Sequence, residues 1–172
     1  LQPWFSRLTQ LAAQIASELA AATPSLTPQS AGLVVTIALS PLFTLPYTKV
    51  QITIPRQPRQ LFNVATLLHP QPEKWLASVR QHQQSLVTAW QQQTLQTKLI
   101  ACCGRLPLDV PASLRQAHCV AGLSIIWARQ WLLDQPACES TKQFIQQTRQ
   151  LYPDLFGLES PIRSQVSALL AC

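Results

Sequence analysis

A chain of 172 residues, 47% of them hydrophobic and 12% charged, can bury a large core but carries about half the charge usual for a soluble domain. Its longest apolar run, residues 31–39 with Thr36 interrupting, is too short to cross a bilayer, so no transmembrane segment is predicted. The net charge is +6, so a strongly acidic protein is excluded as well.

Glutamine takes the place of much of the missing charge. The chain contains 23 Gln, and a polar surface without formal charge costs less to desolvate than one of Lys and Glu. The composition therefore favours a surface that binds a partner. The alternative is a general preference for Gln in the source organism.

The positive charge is concentrated in one part of the chain. Between Leu19 and Leu108 the only acid is Glu73, whereas the flanking sequences are electrically neutral. Such a basic region attracts nucleic acid, an acidic protein face or anionic lipid, although it is also compatible with an ordinary solvated surface. The candidate binding residues are its seven bases, Lys49, Arg56, Arg59, Lys74, Arg80, Lys98 and Arg105.

The first predicted helix runs from Pro3 to Ala22, because apolar residues recur there at helical spacing. Two prolines, Pro24 and Pro28, predict a break between Thr23 and Ser30. The residues of the apolar stripe are Trp4, Leu8, Leu11, Ile15 and Leu19.

Two strands are predicted next. Gly32 to Ser40 is rich in β-branched residues, and Thr48 to Ile54 alternates apolar and polar side chains, as a half-buried strand does. The link between them is too long for a tight hairpin, and an antiparallel pair is the simplest arrangement. Since two strands are not stable alone in water, we expect helices to cover one face.

Five further helices are predicted, and one of them is central. The segment from Pro111 to Asp134 is apolar on nearly every side, which is typical of a helix surrounded by others. The fold class is therefore mainly α (α+β), a single domain over residues 1–172 with about six helices around helix 111–134 and a two-stranded element at 32–54. The other helices are Gln60 to His69, Pro72 to Ile100, Ser140 to Tyr152 with a Ser140–Gln143 capping box, and a last one from Ser160.

The cysteines suggest one candidate metal site. Thiolates and an imidazole are zinc ligands, but the ligand pairs here are adjacent in sequence, whereas zinc knuckles separate them. Buried thiols and a core histidine are the alternative interpretation. An odd number of cysteines, five, favours reduced thiols and the cytoplasm. The candidate ligands are Cys102, Cys103, His118 and Cys119.

No catalytic motif is recognisable in the sequence. The three histidines stand in no known pattern, and four glycines are too scattered for a phosphate-binding loop. The seven carboxylates are equally dispersed. No cofactor is predicted, and a non-enzymatic role is favoured over an enzyme.

The leading functional hypothesis is a non-enzymatic protein-interaction subunit or adaptor of a larger assembly. The alternative is a nucleic-acid-binding or regulatory protein that uses the basic region 49–105. A helix-turn-helix from the last two helices, with Arg163 and Gln165 at the start of the second, is a further hypothesis.

Overall fold

The structure is a computed structural model that describes residues 3–39, 105–133 and 139–171, together with Gln81, Leu95, Lys98, Leu99 and Cys102. Within these residues the protein is mainly helical, as predicted, and contains no strand. None of the helices in this part of the chain is long and apolar enough to cross a membrane. The helices are α1 (Pro3–Ala21), α2 (Pro28–Leu39), α3 (Ala112–Leu133), α4 (Glu139–Leu151), α5 (Glu159–Gln165) and α6 (Ser167–Ala171), with 3₁₀ helices at Pro107–Asp109 and Pro153–Leu158.

Helix α1 confirms the first predicted helix almost to the residue. Four members of its apolar stripe, Leu8, Leu11, Ile15 and Leu19, are completely buried against α2 and α3. The stripe forms because residues three and four apart share one face of a helix. These side chains belong to one apolar core that also contains buried residues of α2, α3 and the C-terminal helices.

The strand predicted over Gly32 to Ser40 is wrong, because residues Pro28–Leu39 form helix α2. The backbone N–H of Ser30 donates to Thr27 Oγ1 at 3.2 Å, so Thr27 caps a helix that has proline in its first turn. A short apolar run fits a buried strand and a buried helix equally well, and packing against α1 decides for the helix. The two-stranded element is therefore not formed as predicted.

A hydrogen bond joins α1 to α2. Ser17 Oγ donates to the carbonyl of Pro28 at 3.1 Å, and a Cβ at Gly32 would lie 3.5 Å from the same hydroxyl, an ordinary van der Waals distance. This contact fixes the start of α2 against the middle of α1.

Several other predictions fall outside the described residues. They include the strand Thr48 to Ile54 and the helix Gln60 to His69. Of the helix predicted from Pro72 to Ile100, the structure describes Gln81, Leu95, Lys98 and Leu99, and each of these is helical.

Helix α3 is buried on most of its sides, as predicted for the central helix. It packs against α1, α2 and α4. The side chains of Cys119, Val120 and Leu123 are completely buried, and Trp127 is nearly so. Its buried hydroxyl at Ser124 is satisfied within the helix by the carbonyl of Val120 at 2.6 Å.

The C-terminal part begins with α4, which lies close to its predicted limits. The single last helix is instead divided: a 3₁₀ helix leads into α5, the chain leaves helical geometry at Val166, and α6 follows. Arg7 Nη2 donates to the carbonyl of Leu169 at 3.0 Å, so α1 also anchors this end of the fold.

Candidate functional site

The basic region is described at only two of its seven candidate residues. Lys98 and Arg105 are both exposed. The other five, Lys49, Arg56, Arg59, Lys74 and Arg80, lie outside the described residues.

The candidate zinc ligands have neighbours within the protein. His118 Nε2 lies 2.8 Å from the carbonyl oxygen of Arg105, so it donates a hydrogen bond there. Cys119 Sγ accepts from Thr148 Oγ1 at 3.6 Å, and Cys102 is a buried free thiol. Cys103 lies outside the described residues. No group of three metal-ligating side chains occurs among the residues that are described.

Burial determines the protonation of the His118–Cys119 pair. Removal from water lowers the pKa of His118 against the opposing effect of its hydrogen bond to Arg105. Burial likewise raises the pKa of the Cys119 thiol, although the hydrogen bond from Thr148 acts against it. Both groups are therefore kept neutral, which suits a packed helix interface better than a nucleophile.

The ring of Phe144 on α4 packs against α3. It meets His118 edge-on, with ring centroids 5.5 Å apart. A Cβ at Gly122 would lie 2.8 Å from Phe144 Cε1 and closer still to Cζ, so only glycine leaves room for the ring.

The turn that precedes α3 is held by side chains. Arg115 donates from Nε to the carbonyl of Pro107 at 3.0 Å and from Nη2 to that of Val110 at 3.1 Å. From α4, Gln147 Oε1 accepts from the backbone N–H of Leu108 at 3.0 Å. Leu108, 52% exposed, is the one large hydrophobic residue that is exposed in the described part of the chain.

Three aromatic rings join α3 to the C-terminal part. Trp127 and Trp131 are stacked with centroids 5.5 Å apart, and Phe156 meets Trp127 edge-on at 6.0 Å. Arginines lie over the two outer rings: Arg149 is 4.7 Å from the centroid of Phe156, and Arg163 is 5.7 Å from that of Trp131. These contacts hold two exposed guanidinium groups at opposite ends of one ring cluster.

The outer face of α4 is polar and rich in amides. It consists of residues three, four or seven positions apart, and a shallow groove of about 320 Å³ runs beside it. In the described residues, neither Lys142 nor Arg149 pairs with a carboxylate. Glu139 lies at the N-terminal end of this face, where the helix dipole favours an acid. We call this the α4 face and define it by its exposed residues, Glu139, Lys142, Gln143, Gln146, Arg149 and Gln150.

A second open concavity lies between α5 and α6. Its volume is about 490 Å³, and Arg163 contributes the charge at its edge. The hydroxyl groups that line it come from Ser160, Ser164 and Ser167.

The connection between α4 and α5 differs from the short turn of a helix-turn-helix motif. A six-residue 3₁₀ helix, Pro153–Leu158, joins α4 to α5, and α5 has only seven residues. Arg163 and Gln165 are exposed on α5, but Arg163 is held over Trp131.

The contacts of Arg149 and Arg163 with aromatic rings are not predicted from the sequence, where Arg163 enters only through the helix-turn-helix hypothesis. The spacing of Lys142, Gln146 and Arg149 was readable as one helix face. The contact of Arg163 with Trp131 was not, since it joins residues 32 positions apart in separate helices.

No family model, curated protein or solved structure matches this chain.

Proposed function

We propose that this chain is a non-enzymatic protein-interaction subunit of a larger assembly. The observation that carries the proposal is the α4 face, which presents three amides and two cations on one side of a helix whose other side is packed on α3. Amides offer donors and acceptors at a low desolvation cost, which favours contact with another protein.

Elsewhere in the described chain, the polar and titratable side chains of α3 support a structural role better than a catalytic one. His118 binds a backbone carbonyl, and Cys119 is buried and kept protonated. Arg115 holds a turn by two backbone carbonyls. These side chains stabilise the scaffold that presents the α4 face.

The test is whether a defined partner binds in fixed proportion. The chain would be used as bait under native conditions, and a captured protein would be purified separately and recombined with it. Size-exclusion chromatography with light scattering should then give one complex of integral stoichiometry. A chain that remains a monomer with every captured protein would overturn the proposal.

A nucleic-acid-binding or regulatory role for the basic region 49–105 is the second candidate. It is favoured by the exposure of Lys98 and Arg105, the two of its seven bases that are described. Binding should then weaken steeply as salt rises, and charge reversal at Arg56, Arg59 and Arg80 should weaken it further. Absence of oligonucleotide binding at low salt would exclude this role.

A further inference from the structure

Arg149 and Arg163 differ from ordinary surface arginines in how they are held. Each guanidinium group lies over an aromatic ring, and the rings of Phe156 and Trp131 are connected through Trp127. Trp127 is 2% exposed, so this connection is fixed in the core. The spacing of the two cations is therefore set by packed rings instead of by flexible side chains.

Both guanidinium groups have N–H donors at the protein surface. Neither forms an ion pair within the described part of the chain, and both side chains are exposed. A planar guanidinium held against a ring keeps its outward N–H groups available, and it binds carboxylates in a two-pronged geometry. Less side-chain entropy is lost on binding when the cation is already positioned.

We propose that Arg149 and Arg163 form a paired carboxylate-binding surface that receives an acidic segment of a partner protein. This inference rests on the proposed function and names the partner chemistry of the α4 face. Gln146 and Gln150 lie beside Arg149 in the same groove and add hydrogen bonds to the backbone of the segment.

The charge around the pair favours a protein segment over nucleic acid. Over residues 139–171 three bases, Lys142, Arg149 and Arg163, are matched by three acids, Glu139, Asp154 and Glu159. A polyanionic backbone gains little from a region without net charge, because its affinity comes from neutralising many phosphates. A segment with two separated carboxylates gains from two fixed cations and avoids the three acids.

The first experiment uses a defined probe on the full chain. Two 16-residue Gly/Ser peptides of equal length would be titrated, one with two pairs of Glu separated by a spacer and one with Gln in their place. The side-chain Nε–Hε signals of Arg149 and Arg163 and the indole signal of Trp131 would be followed by NMR. An oligonucleotide of equal charge serves as the nucleic-acid arm.

We expect the Glu peptide to shift these three signals together and the Gln peptide to leave them in place. In the double variant Arg149→Gln/Arg163→Gln the affinity should fall about tenfold, since exposed charge pairs each contribute a few tenths to one kcal/mol. The variant Arg149→Lys keeps the positive charge but loses the planar guanidinium group, so it should retain part of the affinity for the Glu peptide. The matched control is Lys98→Gln, an exposed base outside this surface, which should bind normally.

Equal binding by the double variant and the parent chain would overturn the inference. So would a stronger response to the oligonucleotide than to the Glu peptide. The complex recovered for the proposed function separates the two ideas. If it forms with the parent chain and persists unchanged in the double variant, the interaction role stands and the arginine surface is wrong.

Discussion

The helices α1 and α2 and the segment α4 to α6 both pack on α3 through one apolar core, but the C-terminal segment adds ring and polar contacts to α3. Apolar side chains that are completely buried, such as Leu11 and Ile15, join α1 to its neighbours. The C-terminal segment also buries apolar side chains such as Leu155 and Ile162, but it adds ring contacts to Trp127 and Trp131 and hydrogen bonds with Cys119 and Leu108. The first arrangement gives stability, whereas the second gives stability and also leaves polar groups at the surface.

The largest expected effect lies in the apolar region. Leu11→Ala should lower the free energy of unfolding by about 3 kcal/mol, because the side chain is completely buried and its loss leaves a cavity. Urea denaturation would measure it, with exposed Gln10→Ala as the control. A loss below about 1 kcal/mol would mean that α1 is not packed as described.

A smaller effect is expected where α3 meets α4. Gly122→Ala should cost about 2 kcal/mol, because the added methyl group displaces the ring of Phe144 from its contact with His118. Phe144→Leu in the same chain should restore part of the loss, since the smaller side chain leaves room. If the changes in the free energy of unfolding caused by the two substitutions are additive, these residues are not in contact.

Helix α2, which lies where a strand was predicted, can be tested at its N-cap. Thr27→Ala should destabilise the protein by about 1 kcal/mol through loss of the hydrogen bond from the N–H of Ser30. Thr27→Asp should keep the cap and the stability. If thermal denaturation gives the same Tm for Thr27→Ala as for the parent chain, Thr27 does not cap a helix.

Smaller effects are expected from pH, and the first concerns His118, which lies at the α3–α4 interface. Burial lowers the pKa of His118 below 6.5, so the unfolded chain takes up a proton at a pH where the folded chain does not. Stability should therefore fall as the pH drops below 6.5 and level off beneath the folded pKa. Denaturation curves of the parent chain and of His118→Gln would be compared between pH 7.5 and 5, and equal slopes would contradict the burial of His118.

At the alkaline side Cys119 should act in the opposite direction. Burial raises its pKa above the ordinary value of 9.0, so the unfolded chain loses its proton first and stability falls as the pH rises through 9. Cys119→Ala should reduce this slope in the same denaturation series. An unaltered slope would place the thiol in contact with solvent.

The sequence predicted the helix with a clear apolar stripe and the long apolar helix α3, but the short apolar run at residues 31–39 was assigned wrongly. The spacing of Leu8, Leu11 and Ile15 has only one interpretation, and α1 follows it. Residues 31–39 are apolar except at Thr36, so periodicity does not distinguish helix from strand, and the N-cap at Thr27 is the signal for a helix. β-Branched residues such as Val34 and Val35 favour strands only weakly, and burial against α1 outweighs that preference.

The candidate site was less predictable than the fold. Periodicity shows that Gln146 and Arg149 share a helix face, but it does not show which rings lie beside them. The pairing of Arg163 with Trp131, and of Arg149 with Phe156, depends on how separate helices cross. The net charge of residues 139–171 is zero because three acids balance three bases, so net charge does not indicate that two of these bases lie over aromatic rings.

We propose that the chain binds its partner through the C-terminal segment and not through the apolar helices α1 and α2. Hydrogen exchange of the full chain, alone and in its recombined complex, tests this most directly. We expect exchange to slow in peptides covering residues 139–165 and to stay unchanged in peptides covering α1. Slowing confined to residues 49–105, with 139–165 unaffected, would contradict the account and favour the basic region as the binding surface.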